Sequence, residues 1–199
     1  MAIFGDNATY VVPLVVLAGD KTAVELLSAP APGHYAVVDI NVYCDGTAPG
    51  AAFALGIYED PAGGGPPAAL VANSQTPEIA APAPGAPAWV TYTYKGARPL
   101  LDIPVMPGAP SYYAAIFVKG PPEPALNLYE SGAPAGTMLF NNVNVAPFPA
   151  LDDPFGACGA LGPLAVSFYL SVLYIPTLGD RGNQRIPSKQ DAIIRGRNI

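Results

Sequence analysis

Residues 35–44 read YAVVDINVYC, and this run decides the fold class. In an extended chain, Tyr35, Val37, Asp39, Asn41 and Tyr43 fall on one side and Ala36, Val38, Ile40, Val42 and Cys44 on the other. One side is apolar and the other mixed. That asymmetry, with a period of two, belongs to a strand that packs one face on a second sheet and turns the other to solvent or a partner.

Working outward, similar runs occur at 9–17, 22–27, 51–59, 68–72, 89–94, 100–105, 112–118, 125–130, 137–140 and 164–175. Glycine and proline supply 46 of the 199 residues, against a usual share of roughly 12%. They punctuate the apolar runs instead of forming one tract, which reads as short strands joined by turns. Residues 1–7 read as a polar lead, 76–87 as an Ala/Pro loop with little to hold it, and the stretch up to Gly162 as irregular. Almost no segment carries helical spacing. Connections this short favour antiparallel neighbours. The predicted architecture is all-β: an antiparallel two-sheet sandwich, jelly-roll-like, over residues 1–178, with a closed barrel as the alternative.

Hydrophobic residues make up 51% of the chain and charged residues 12%. That balance suits a surface partly covered by partners, or simply a chain rich in alanine. No apolar stretch is long enough to cross a bilayer as a helix, so no membrane partner is expected. The N-terminus has no basic region and Asp6 comes early, so synthesis without Sec export is expected. Cys44 and Cys158 are the only cysteines. They permit one disulfide, but the plainer reading is two small buried hydrophobes, with Cys44 on the core side.

Charge divides the chain. Residues 181–199 hold Arg181, Arg185, Lys189, Arg195 and Arg197 against Asp191, a net +4, whereas residues 1–180 hold four basic and fourteen acidic residues, a net −10. The segment 179–199 reads as a basic arm. Ser188 as N-cap, Asp191 three residues on and Gly196 as a stop predict a short helix over 189–195, with Ile193 and Ile194 as apolar anchors. So short a helix orders only against a surface, either this chain's acidic body or a neighbouring subunit. Five basic residues without interleaved aromatics, beside an acidic body, argue against a nucleic-acid partner.

The sequence offers no catalytic or cofactor-binding centre. His34 is the only histidine, in a turn before a strand, and no Gly-x-Ser-x-Gly elbow accompanies it. A Cys44–His34 dyad would require the strand between them to double back. Asp152-Asp153 lacks the alternating ligands of a calcium loop and reads as a solvated acidic loop. Glu59-Asp60 and Glu130 could serve as glycosidase carboxylates only if the fold brought them together. Gly63-Gly64-Gly65 lacks the ending of a phosphate loop. The hexamers 54–59 and 125–130 echo each other, as two equivalent hairpins or as chance convergence of small-residue strands. Trp89, Tyr92, Tyr94 and Tyr112 form the remaining candidate site, a set of rings for glycan stacking; the plainer alternative has them filling a core or a subunit interface.

The run Leu55-Gly56-Ile57-Tyr58-Glu59-Asp60, then Gly65-Pro66-Pro67 and Ala69-Leu70-Val71-Ala72, resembles a hairpin of jelly-roll domains in tailed-bacteriophage virion proteins. Trp89-Val90 and Tyr112-Tyr113-Ala114-Ala115 fit the same layout, and Pro67 departs from it where glycine is usual. The resemblance spans roughly residues 35–140. It implies a non-enzymatic virion structural protein, a capsid decoration or head/tail assembly component, assembled in the host cytoplasm. Its partners would be other virion proteins and further copies of itself, contacted through the C-terminal arm. The alternative reading is a carbohydrate-binding or adhesion module that meets host-surface glycans through exposed aromatics.

Overall fold

The computed structural model describes residues 1–5, 7–8, 13–17, 22–27, 31–60, 67–103, 111–121, 123–129, 138–141, 146–156, 158–162 and 166–176. These residues contain no helix. Their strands are β1 (Ala2–Gly5), β2 (Pro13–Leu17), β3 (Thr22–Leu26), β4 (Gly33–Gly46), β5 (Ala52–Asp60), β6 (Ala69–Leu70), β7 (Ile79–Ala80), β8 (Ala88–Thr93), β9 (Leu100–Ile103), β10 (Ser111–Val118), β11 (Leu126–Tyr129), β12 (Met138–Asn141), β13 (Cys158–Gly162) and β14 (Phe168–Ile175).

Two antiparallel sheets pack face to face. In the first, β4 is the spine. One of its edges pairs with β14 and then β11, and the other with β9 and then β8. Beyond them, β1 lines β14 and β2 lines β11. The second sheet runs β13-β12-β3-β10-β5, with β6 and β7 both on the far edge of β5. The all-β sandwich expected from the alternating runs is therefore the fold.

The core lies between the sheets. Ile40, Val42 and Cys44 of β4 meet Phe53, Leu55 and Ile57 of β5 and Ile116 and Val118 of β10, all at most 2% exposed. Each such large side chain contributes about 1.5–3 kcal/mol by leaving water. The alternation along β4 is broken once. Val37 pairs with Val172 and Asp39 with Ser171, so Val38 is an extra residue, a β-bulge. Tyr35 and Val37 therefore point into the core on one side of the bulge, and Ile40, Val42 and Cys44 on the other. Strict period-two counting had put these two groups on opposite faces.

The second sheet is buried on both sides. Tyr58, Tyr113, Ala115 and Phe117 turn outward and are roofed by Leu151 and Phe155. The Tyr58 hydroxyl donates to the Asp152 carbonyl, Asp152 Oδ1 accepts Ala146 N–H at 2.6 Å and Asp153 Oδ1 accepts Leu70 N–H at 3.1 Å. The two aspartates expected in a solvated loop thus tie this roof together.

Residues 76–87, expected to be loosely held, are tied down: 76–81 run along the margin of β5, and Pro82 and Gly85 bond to Gly46 and Asp45 at the end of β4. Ser74 Oγ accepts Ile57 N–H and donates to the Ile57 carbonyl, each at 3.1 Å, and Thr76 Oγ1 accepts Leu55 N–H at 2.8 Å. Side-chain hydroxyls complete the ladder between the two-residue strands β6 and β7. Three strands fall where the sequence suggested none: β1 in the polar lead, β7 in the loop and β13 in the irregular stretch. The echoing hexamers lie in different sheets, one in the β5–β6 hairpin and the other on β11 between β2 and β4, so they are not equivalent hairpins.

Candidate functional site

Among the described residues, no segment covers the first sheet as one covers the second, and the register spells out its outer face row by row. Leu173, Ala36 and Leu100 stand abreast on β14, β4 and β9. The next row is Ser171, Asp39 and Thr93, and the next Tyr169, Asn41 and Thr91. Tyr43 and Trp89 follow as a cross-strand pair, then Asp45 opposite Asn127. An apolar end thus grades through a polar band into an aromatic cluster.

The polar band is pre-paired. Thr93 Oγ1 donates to Asp39 Oδ1 and Thr91 Oγ1 to Asn41 Oδ1, both at 2.7 Å. The Asn41 amide reaches the Tyr169 carbonyl at 3.4 Å. In the aromatic cluster, Trp89 lies 4.9 Å from Tyr169 and 5.5 Å from Tyr43, centroid to centroid, and Tyr43 lies 5.4 Å from Tyr129. These edge-on and tilted contacts suit the ring quadrupoles. Trp89 is rooted on β8 and Tyr169 on β14, so their rings meet across β4, which lies between the two strands. Asn41, opposite Tyr169 in the register, is only 2% exposed.

Asp45 anchors the far end of the face. It is 1% exposed. Its carboxylate accepts Gly85 N–H at 2.6 Å, Asn127 Nδ2 at 3.0 Å and the Tyr129 hydroxyl at 2.9 Å. Burial, followed by this bond to a carboxylate, pushes the Tyr129 phenol up to about 12. Three donors offset the cost of burying this carboxyl group.

The candidate stacking residues separate. Trp89 lies on the outer face, half-buried. Tyr94 and Tyr112 are 4% and 3% exposed and belong to the core, and Tyr92 packs against it from β8. The Tyr94 hydroxyl donates to the Ser74 carbonyl, and the Tyr112 hydroxyl is bonded to the backbone of Asp102. Glycan stacking on Tyr92, Tyr94 and Tyr112 is therefore corrected: alternation on β8 sends Tyr92 inward opposite Ile40, while Trp89 goes outward opposite Tyr43. The partners Trp89 does have, Tyr43 and Tyr169, were not singled out beforehand. Tyr43 was legible as a member of the mixed face of 35–44, whereas Tyr169 required the β14 register.

The other candidates are dispersed. His34 and Asp102 form a cross-strand pair at 3.1 Å, with side chains 47% and 65% exposed. His34 and Cys44 sit at opposite ends of β4, and Cys44 is a free, fully buried thiol whose ionisation burial opposes. A depression of about 250 Å³ beside β6 is lined by Glu59, Arg98 and Leu100 among others. Of the paired carboxylates considered, Glu59 is there, while Asp60, next along the strand, is 5% exposed. Glu130, Gly63-Gly64-Gly65, the helix over 189–195 and the arm residues Arg181, Arg185, Lys189, Ile193, Ile194, Arg195 and Arg197 lie outside the described residues. No protein-family model, curated protein or solved structure matches the chain.

Proposed function

We propose that this chain is a non-enzymatic structural module of a virus particle, a capsid-decorating or head/tail assembly component. The observation that carries the reading is the strand order. Counted as eight strands, β1/β2, β3, β4, β5, β6/β7, β8/β9, β10 and β11/β14, one sheet runs first-eighth-third-sixth and the other second-seventh-fourth-fifth. That order resembles the connectivity of a jelly roll, an arrangement recurrent in viral capsid and lectin domains, and it supports the reading. The strand β12 and its partner β13 are an insertion inside the last strand, added beside β3.

Two further features support an assembly role. At the apolar end of the first sheet, Leu173 and Leu100 are 39% and 64% exposed on either side of Ala36, and Ile3, opposite Ser171 in the adjoining row, is 44% exposed, the sort of surface that subunit contacts cover. The charge contrast between arm and body would steer one copy's arm toward another copy or the shell. The test is deletion of residues 181–199. The truncated chain is expected to remain folded by circular dichroism and to lose oligomer mass and attachment to particles. Unchanged mass and attachment would sink the proposal.

A further inference from the structure

We propose that the outer face of the first sheet holds a subsite for a neutral pyranose, centred on Trp89. The floor is the half-buried indole of Trp89, on β8 opposite Tyr43 of β4. Tyr169 stands at 72° to that indole with centroids 4.9 Å apart, and Tyr43 at 53° and 5.5 Å. Two rings inclined to a third make a shallow trough, and the C–H face of a sugar ring fits against the exposed side of an indole as an aromatic edge does.

The neighbouring row supplies the polar half of the chemistry. Thr91 and Thr93 each donate their hydroxyl proton across the strand to Asn41 and Asp39. Their oxygens keep lone pairs for incoming donors, and Asp39 keeps its second carboxylate oxygen. Sugar hydroxyls can donate to such acceptors without breaking the existing pairs. These groups already sit on paired strands with fixed partners, so little ordering cost attaches to binding.

Charge narrows the ligand class. No lysine, arginine or histidine is among Asp39, Asn41, Tyr43, Trp89, Thr91, Thr93 and Tyr169. Asp39 and a body of four basic and fourteen acidic residues repel an anionic glycan. A neutral hexose unit of a surface polysaccharide meets all three conditions. A second copy of this chain is less suited to the polar rows, and would sit better on the apolar end near Leu100 and Leu173.

Trp89 is the only tryptophan, so the protein's indole emission reports this site alone. The full-length protein is titrated at fixed concentration with neutral gluco-, manno- and galacto-oligosaccharides, with polygalacturonate as the acidic control. The expected result is a saturable emission change with at least one neutral series and none with the control. Thr91→Lys and Tyr169→Ala should each weaken it by about tenfold or more, as loss of a central contact does. An emission unmoved by every neutral series overturns the proposal. So does an emission that shifts only with protein concentration, which would mean that a second copy covers the indole. Particle attachment of the Thr91→Lys variant, measured alongside, separates loss of sugar binding from failure of the assembly reading.

Discussion

The hydroxyl of Tyr129 donates to the carboxylate of Asp45 at 2.9 Å, joining β11 to the last turn of the long spine strand β4. Gly85 N–H and Asn127 complete the cradle. Tyr129→Phe removes one donor and leaves the buried carboxylate under-satisfied, at a cost of about 1–3 kcal/mol. Asp45→Ala strands three donors at once and should cost more. Urea unfolding of the two variants checks this; equal stability of either variant with the parent would refute the anchoring role.

Gly56 faces the roof over the second sheet, and a methyl group added there would collide with Leu151 Cδ1. Leu151→Ala should cost about 2–5 kcal/mol by opening a cavity. Gly56→Ala should destabilise the parent and be largely tolerated in the Leu151→Ala background. A double-mutant cycle from thermal melts reads the coupling directly. Additive effects would show that the two positions do not share space.

Alkaline pH should unfold the protein through its phenols. Tyr129 is raised to about 12, and burial also raises Tyr58, Tyr94 and Tyr112. Below the unfolded value of about 10 these groups are protonated in both states and their contribution is fully present. As pH rises from there toward the folded values, the unfolded chain holds fewer protons, and stability falls. Phenolate absorbance followed with circular dichroism should show these tyrosines ionising together with unfolding, not before it.

Two aromatic substitutions should behave oppositely. Tyr112→Ala removes a core ring and its hydrogen bonds to Asp102, and should cost about 3–5 kcal/mol. Trp89→Ala takes a ring from the outer face, where the cavity term is small, and should leave a folded protein with a modestly lower melting temperature. Comparable losses would mean that Trp89 is a structural anchor.

Much of the fold was readable because alternation survives in the strands that matter. Of the five positions whose spacing put them on one side, Phe168, Leu170 and Val172 of β14 and Val166 just before it are in the core, while Tyr174, near the end of β14, is 50% exposed. The reading slipped where physics is not local. A single extra residue at Val38 reverses the inward side of β4, and nothing in the alternation marks it. The roof over Tyr58 and Tyr113 comes from residues nearly a hundred positions away from Tyr58. Ser74 and Thr76 replace backbone partners with hydroxyls, which composition alone cannot foretell. For the candidate site, Trp89 and Tyr43 were visible as outward positions on their own strands. Their meeting with Tyr169 depends on the pairing of β14 with β4.

The hydroxyl-sealed margin of β5 bears on how copies can join. Ser74 and Thr76 occupy the very groups that a foreign strand would need, and the strands flanking them are only two residues long. Among the described residues, β8 offers six residues of outer margin on the opposite sheet. Strand addition is thus hindered at the margin of β5, whereas β8, on the flank that carries Trp89, leaves its outer margin open among the described residues.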